Sequence, residues 1–335
     1  MGETTTVHGL VWRAGEQIEK DFELSRLSTF LADEELLTWV DICAPEHELL
    51  QQLATELALD PLAVEDAVAR GERPKVTRYA TYMFMTVYGV TDPDQAGEGG
   101  VDTELGLARV SAFVLPHGIV TVRSSTKFDM DQVVARWTDN ADLLQYGVGA
   151  LVHGLLDLVV DGHFEAVQAL DDAIEDLEDI LFEEQPTGNA VQRRTYGIRK
   201  QLVDLRRVVL PMREVVNAIL RHRKDFHAPT ELDPWYDDLY DHVLRATEWT
   251  ESLRDMISTI FETNLSLQDA RLNNVMKKLT SWAAIIAVPT AITGFFGQNV
   301  PYPGFGHTWG FALSCVSILA IASALYFTFK RKQWL

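Results

Sequence analysis

A run of 51 consecutive residues, 279–329, contains no Asp, Glu, Lys or Arg, although 23% of the whole chain is charged. A helix needs about 20 apolar residues to cross a bilayer, so the run is long enough for two crossings. Residues that end or bend helices fall in its middle, at Gly294, Gly297, Pro301, Pro303, Gly304 and Gly306. The run therefore predicts a membrane hairpin with spans at 279–296 and 309–329. The alternative is a buried helical hairpin of a soluble protein.

Basic residues flank both predicted spans. Lys277 and Lys278 come directly before the first span, and Lys330, Arg331 and Lys332 follow the second. Positive charge close to a span favours the cytoplasmic side of a membrane. We therefore expect a multi-pass protein of the cell (inner) membrane, with both termini in the cytoplasm and a short loop outside.

The part of the chain before the charge-free run is strongly acidic. All 49 Asp and Glu residues precede position 279, together with 26 of the 29 Lys and Arg residues. A surface of this charge repels nucleic acid and attracts cations. The charge therefore favours cations as partners and excludes nucleic acid, whereas the lipid bilayer is expected as a partner because of the two spans.

Residues 1–150 have the pattern of a cytoplasmic mixed α/β domain. Runs rich in β-branched and aromatic residues predict strands at 7–12, 37–42, 79–90, 105–115 and 119–122. Helices are predicted between them at 46–57, 61–69 and 129–144, with Asp60 as the N-cap of the second. The domain contains no phosphate-binding loop, nucleophile elbow or paired-cysteine motif. We therefore expect a scaffold or sensor, neither an enzyme nor a cofactor protein.

Long helices are predicted from residue 151 onward. An acidic helix at 151–184 and a basic helix at 191–226 are separated by a turn, which favours an antiparallel pair with complementary charge. A third helix covers 235–288, which are 54 residues without Gly or Pro. No helix breaker separates this helix from the first span. One rod of about 80 Å is therefore expected to join the soluble part to the membrane.

That rod carries polar and small residues at spacings of three or four, which places them on one side of a helix. Before the membrane this stripe consists of Ser252, Asp255, Thr259, Glu262, Ser266, Asp269 and Asn273. Towards and within the predicted span it continues as Met276, Leu279 or Thr280, Ala283, Ala287, Thr290 and Gly294. Small and polar residues in a span are typical of a wet lumen or of close helix packing. Taken alone, the part before the membrane is more often an ordinary solvent-exposed face, and its continuation in phase into the span favours a pore.

The chain resembles the CorA family of divalent-cation channels. The resemblance begins at the segment 273–299 and its closing motif, where Gly297, Gln298 and Asn299 stand in the place of the family's Gly-Met-Asn. It extends to the RPKV run at 73–76, to residues 202–215 and to the YDH run at 240–242. The zinc-transporting ZntB branch is similar too and carries Gly-Ile-Asn, so Gln298 matches neither branch.

The resemblance implies an α+β membrane protein that assembles as a homopentameric funnel. Its parts would be a cytoplasmic α/β domain (1–150), a helical hairpin with a long stalk helix (151–278), and a transmembrane hairpin with an outer loop and a basic C-terminus (279–335). The implied function is influx of Mg²⁺, with Co²⁺ or Ni²⁺ accepted. The alternatives are a ZntB-like zinc transporter and a membrane-anchored sensor that transports nothing.

The resemblance also implies roles for individual residues. The lumen positions that it gives are Asn273, Met276, Leu279, Ala283, Ala287, Thr290 and Gly294, with Glu262 as a lumen-facing acid of the stalk. Mg²⁺ loses its water reluctantly, so a ring of Asn299 amides would hold the hydrated ion through its waters. Met276 and Leu279 would form a hydrophobic gate that closes by losing water.

Regulation is implied at the base of the stalk. Family members sense cytosolic Mg²⁺ by binding it between neighbouring subunits, and Asp238 matches an acidic sensing position. Asp92, in the loop after the strand predicted at 79–90, is the candidate partner. The alternative role for Asp238 is that of an acid favoured by the dipole at a helix N-terminus.

Overall fold

The computed structural model describes residues 4–69, 71–91, 105–182, 188–225, 228–298 and 300–335. The chain divides into two compact units, Met1–Ser258 and Thr259–Leu335. The strands are β1 Thr6–Arg13, β2 Glu16–Lys20, β3 Leu36–Cys43, β4 Lys75–Arg78, β5 Met83–Val90, β6 Leu107–Leu115 and β7 Gly118–Arg123. The helices are α1 Leu27–Ala32, α2 His47–Glu56, α3 Pro61–Val68, α4 Met130–Asp139, α5 Val148–Phe182, α6 Gly188–Asp225, α7 Asp233–Phe296 and α8 Thr308–Arg331.

The first unit is built on one mixed sheet with the strand order β2-β1-β3-β7-β6-β5-β4 among the described residues. Strands β3 and β7 are parallel, with Trp39 opposite Ile119, and all other neighbours are antiparallel. Successive side chains of a strand point to opposite faces. In β3, Leu37 and Trp39 accordingly enter one hydrophobic core, and Val40 and Ile42 enter another. The sheet is therefore buried on both faces.

Helices cover the two faces of the sheet separately. One core contains residues of α4, α5, α6 and the start of α7, such as Val133, Leu155, Val216 and Tyr236. The other contains residues of α1, α2 and α3, such as Leu53. Asp60 is the N-cap of α3, because its side chain accepts a hydrogen bond from the backbone N–H of Leu62 at 2.9 Å.

Helices α5 and α6 run antiparallel. Near one end of the pair Arg194 donates to Asp176 at 2.8 Å. Near the other end Gly149 lies directly beside the guanidinium of Arg223. The acidic and basic helices therefore meet in the orientation that their charge pattern favours, with an ion pair at Arg194.

Helix α7 continues without interruption from Asp233 to Phe296, a length of 64 residues. It therefore includes the predicted stalk and the whole predicted first span. By length and composition, this helix and α8 are the two in the described part of the chain that are able to cross a membrane. The most apolar 18-residue segments of α7 and α8 have mean hydropathies of 1.6 and 2.0. The predicted α+β class, long helix and pair of spans are confirmed; the homopentamer and the three-part domain division stay predictions.

Several local predictions differ from the structure at the edges of the sheet. Strands β2 and β4 were not predicted, because each is short and charged and lies at an edge, where charges discourage pairing with other chains. The helix predicted over 129–144 ends at Asp139, where Asn140 donates its side-chain amide to the carbonyl of Arg136. The short helix α1 was also missed.

Candidate ion pathway

The predicted stripe of α7 is exposed along its whole described length. Met276 and Leu279 are 56% and 62% exposed, which is unusual for large apolar side chains. The other predicted lumen residues are also exposed: Glu262, Asn273, Ala283, Ala287, Thr290, Gly294, Gly297 and Gln298. Between Asp269 and Thr280 every side chain of the helix is exposed, so the chemistry of the residues, and not exposure alone, distinguishes the stripe there.

The opposite side of α7 has a different character. Leu253, Ile257, Ile260 and Asn264 are buried, and they lie on the side away from the stripe. Within the span, Ile285 and Ile292 are half-buried, whereas Ala287 and Thr290 are exposed. The helix therefore has one apolar side and one side of small and polar residues.

Threonine hydroxyls in the first span are bonded to the helix itself. Pro289 has no N–H, so the helix loses one backbone hydrogen bond at that point. Thr290 donates its hydroxyl to the carbonyl of Ile286 at 3.1 Å, and Thr293 donates to the carbonyl of Pro289 at 2.8 Å. Polar groups within a bilayer must be bonded internally, and these two hydroxyls meet that requirement. Their oxygens keep lone pairs that water or an ion's hydration shell can use.

Helix α7 ends at Phe296, and its last carbonyl groups are closed by the following residues. The backbone N–H of Gly297 donates to the carbonyl of Thr293 at 2.8 Å, and Gln298 donates to Phe295 at 3.3 Å. The hydroxyl of Tyr302 then donates to the carbonyl of Phe296 at 2.9 Å. This bond therefore connects the end of α7 to a residue that follows position 299 in the chain. Asn299 itself lies outside the described residues.

Aromatic rings and glycines shape the loop between the two spans. The ring of Tyr302 meets Phe296 and Phe305 edge to face, with centroids at 5.0 and 5.3 Å. Gly304 has φ +92°, in the left-handed region that favours glycine. A Cβ at Gly310 would lie 2.5 Å from the carbonyl oxygen of Gly304. The loop is therefore held against the first turn of α8 by a contact that only glycine permits.

The sequence identified Gly304 as a helix breaker, and it missed these contacts. No spacing rule shows that Gly304 touches Gly310, because the five residues between them belong partly to the loop and partly to α8. Ser281 was missed as well: it is fully buried, and its hydroxyl has no hydrogen-bond partner among the described residues. Small residues at such points permit close helix packing.

The proposed sensing residue lies on the first turns of α7. The side chain of Asp238 is 70% exposed, with one carboxylate oxygen 3.8 Å from Nε2 of His242. Burial lowers the pKa of nearby His153, and the carboxylates of Asp157 and Asp238 oppose that shift. Asp238 is therefore largely exposed to solvent, with His242 beside it. Asp92 lies outside the described residues, so the predicted pair is untested.

Metal ligands do not cluster in a single copy of the chain as far as it is described. No group of three or more His, Cys, Asp or Glu side chains is close enough to hold one metal ion in these residues. His222 and His242 are described, and His227 is not.

Comparison with known proteins identifies this arrangement. The family model described as CorA-like Mg²⁺ transporter protein matches residues 34–331. The chain belongs to this family. The cobalt/magnesium transport protein CorA of Thermotoga maritima is 28% identical over 303 residues, which cover 89% of this chain and 83% of that protein. The family's members are membrane transporters, and the expected divalent-cation transport is confirmed at this level.

Solved structures agree with the family in fold. The complete CorA magnesium transporter from Methanocaldococcus jannaschii has a TM-score of 0.76 at 22% identity and covers 99% of this chain and 100% of its own. The cytoplasmic domain of ZntB from Vibrio parahaemolyticus has a TM-score of 0.54 at 9% identity, over 81% of this chain and 100% of its own. The fold is therefore shared by both branches, and the curated relative is a cobalt/magnesium transport protein.

The bond from Tyr302 to the end of α7 gives a direct test of the loop. Tyr302→Phe removes the hydroxyl and leaves the ring, so about 1 kcal/mol of support for the helix end is lost. We expect Mg²⁺ uptake into proteoliposomes to fall roughly fivefold, since about 1.4 kcal/mol corresponds to a factor of ten. Tyr326→Phe, near the C-terminal end of α8, is the matched control and should keep normal uptake. Unchanged uptake in Tyr302→Phe would show that the bond does not position the mouth.

Proposed function

We propose that this chain is one subunit of a homopentameric channel that admits Mg²⁺, and also Co²⁺ or Ni²⁺, across the cell membrane. The observation that carries the proposal is the stripe of small and polar residues on one side of α7, which continues in phase from the stalk into the first span. Such a stripe is typical of a wet lumen or of close helix packing. The channel has no enzymatic activity and no resident cofactor, and Mg²⁺ is both its substrate and its regulatory ligand.

Assembly follows from how little of each span is covered by its own chain. In the most apolar 18-residue segment of each helix, only 6% of the segment in α7 and 11% of the segment in α8 is buried. Two helices cannot enclose a conduit, so several copies are needed to surround one. In the proposed pentamer the α7 spans line the lumen and the α8 spans surround them, with both termini in the cytoplasm.

From the outer mouth to Asn273 the ion path uses neutral groups. At the outer mouth Gly297, Gln298 and Asn299 present carbonyls and amides to the hydrated ion. Below them the lumen is lined by Gly294, Thr290, Ala287 and Ala283, then by the apolar gate of Leu279 and Met276, and finally by Asn273 and Glu262. Neutral oxygens hold a hydrated Mg²⁺ through its water and release it readily. Conduction requires that release, which a carboxylate cage would slow.

Regulation in this proposal comes from cytosolic Mg²⁺ that bridges neighbouring subunits at Asp238. The side chain is exposed, on the same continuous helix as the gate. Asp92 of the neighbouring copy is the proposed second ligand. An ion bound there biases α7 towards the closed state, because it stabilises only that arrangement.

Flux measurement with competing ions tests the transport directly. Purified protein in liposomes should take up Mg²⁺ down an imposed membrane potential, and Co²⁺ should compete with it. Saturating uptake of Zn²⁺ that Mg²⁺ does not inhibit would instead indicate a zinc transporter. Absence of any divalent flux would contradict the proposal and favour a sensor without transport.

Asn299 provides the residue-specific part of the same measurement. Asn299→Ala removes the amide ring and should abolish uptake while the oligomer remains intact in size-exclusion chromatography. Gln333→Ala, which removes an amide at the opposite end of the second span, is the matched control. Wild-type uptake in Asn299→Ala would mean that the outer ring does not select the ion.

Removal of a single carboxylate from the first turns of α7 tests regulation separately from conduction. Asp238→Ala should leave the maximal Mg²⁺ flux intact and raise the internal Mg²⁺ concentration for half-inhibition about tenfold, which corresponds to about 1.4 kcal/mol of lost binding. Asp237→Ala removes the same charge from the neighbouring exposed position. Internal Mg²⁺ should inhibit the flux through this variant at the same concentration as in the wild type. Equal inhibition curves for Asp238→Ala and the wild type would remove Asp238 from the sensor.

A further inference from the structure

Basic side chains gather at one end of the membrane hairpin, within the unit Thr259–Leu335. They are Lys277, Lys278, Lys330, Arg331 and Lys332. All of them are exposed, and within the described residues none forms an ion pair with an acidic side chain. Asp269 is the last acidic residue of the sequence, so no carboxylate side chain in 270–335 offsets their charge.

The two spans pack along one side of each helix. On α7 the less exposed residues recur every three or four positions, at Ser281, Ile285, Val288, Ile292 and Phe296. On α8 the matching series is Gly310, Ser314, Ile318, Ala322, Leu325 and Phe329. A short loop joins the helices, so the two series face each other in an antiparallel pair. We call this line of contact the α7–α8 seam.

Both groups of basic residues lie at the end of the seam that is remote from the loop. At about 1.5 Å per residue, Lys278 lies about 27 Å along α7 from Phe296. By the same measure, Lys330 lies about 33 Å along α8 from Thr308. The antiparallel pairing therefore brings the lysines of the two helices to the same level.

Lysines of both helices also border the seam itself. Lys277 and Lys278 come four and three residues before Ser281, which places them on the same side of α7 as this buried residue. Lys332 comes three residues after Phe329, and its backbone N–H still donates to a helix carbonyl at 3.1 Å. It therefore lies on the side of α8 that faces α7.

The chain after α8 folds back onto the same place. Gln333 has φ +56°, in the left-handed region, and the N–H of Trp334 donates to the carbonyl of Phe329 at 2.9 Å. The ring of Trp334 is stacked on that of Phe329, with centroids 5.7 Å apart, and Nζ of Lys332 lies 6.0 Å from the centre of the indole. Indole rings prefer the headgroup level of a bilayer. The end of the seam is therefore expected at that level.

The cations that border the seam repel one another. Packed helices lie about 8–10 Å apart, which is within the distance over which exposed charges still act on each other at physiological salt. An anion between the lysines of α7 and Lys332 would turn this repulsion into attraction. Each ammonium group has three N–H donors, and a phosphate is a strong acceptor of such bonds. Clusters of Lys and Arg next to a span attract anionic lipids.

We propose that this end of the α7–α8 seam binds the headgroup of an anionic phospholipid. The phosphate accepts hydrogen bonds from Lys277, Lys278 and Lys332. The acyl chains lie along exposed apolar side chains of α8 such as Leu319 and Phe327, which are 69% and 66% exposed. The site requires a hairpin in the membrane and does not depend on which ion the chain transports.

Binding is tested by native mass spectrometry of the full-length protein in neutral detergent. The probes are phosphatidylglycerol and phosphatidylcholine with identical acyl chains, added in equal amounts. We expect phosphatidylglycerol to occupy the protein at least about fivefold more than phosphatidylcholine. This preference should fall in about 0.5 M NaCl, because salt screens the attraction. Equal occupancy by the two lipids, or a preference that salt does not change, overturns the proposal.

A soluble phosphate distinguishes a lipid site from a general anion site. Glycerol 1-phosphate carries the same phosphate group and no acyl chain. At millimolar concentration it should leave the bound phosphatidylglycerol in place. Displacement of the lipid by glycerol 1-phosphate would contradict a lipid site.

Paired variants locate the site. Lys278→Gln together with Lys332→Gln should lower the preference for phosphatidylglycerol at least about fivefold. The matched control is Arg271→Gln together with Arg331→Gln, which removes the same charge away from the seam and should leave the preference unchanged. Arg271 lies about 10 Å further along α7, and Arg331 lies about 200° around α8 from Phe329. An unchanged preference in the lysine pair, or an equal loss in both pairs, contradicts the site.

A charge-retaining pair covers an effect of the substitutions on folding. Lys278→Arg together with Lys332→Arg keeps both cations and should keep the preference for phosphatidylglycerol. Loss of the preference in this pair, with the protein still folded, would contradict a site that depends on charge. The salt dependence of the wild type requires no substitution, so it tests the proposal even where the glutamine pair does not fold.

Discussion

The backbone of α7 must stay hydrogen-bonded to itself across a bilayer, and most of the chain's organisation follows from that requirement. Unsatisfied N–H and C=O groups are too costly in hydrocarbon, so only an unbroken helix can cross. Pro289 removes one bond, while the hydroxyls of Thr290 and Thr293 are each bonded to a carbonyl of the same turns. The same helix begins at Asp233 in one compact unit and ends at Phe296 in the other.

The two sides of that helix have separate tasks. Large apolar residues satisfy the membrane and the neighbouring helices, whereas alanines, threonines and glycine leave room and lone pairs for water. Charged residues are absent from both spans, so an ion on this path is held only by neutral oxygen. Selection in such a path depends on the size and hydration of the ion. This suits Mg²⁺, which keeps its water in preference to exchanging it for protein ligands.

The first unit is organised around its sheet. Its sheet is buried on both faces, and the long helices α5 and α6 pack on one of them together with the start of α7. The side chain of Arg223 is buried near the ends of these helices, where it donates to the carbonyl of Pro229 and to Asp233.

Elements with a strong local signal could be predicted from the sequence, and contacts across long separations could not. The charge-free run and the absence of Gly and Pro from 235–288 determined both spans and the long helix, because length and composition alone decide them. Edge strands β2 and β4 lacked the apolar alternation on which strand prediction depends. The meeting of Gly149, Arg223 and Tyr236 depends on tertiary packing over more than 70 residues. Asn299 and Asp92 lie outside the described residues, so their predicted roles rest on the family resemblance.

The claim that one side of α7 faces water is tested most directly by the reactivity of single cysteines. In a background with Cys43→Ala and Cys315→Ala, cysteines at Ala283, Ala287 and Thr290 should react with a charged, water-soluble thiol reagent in the membrane-embedded protein. Cysteines at Ile285, Val288 and Ile292, on the other side of the helix, should remain protected. Protection of the first set, or equal reactivity of the two sets, would contradict a water-filled lumen lined by α7.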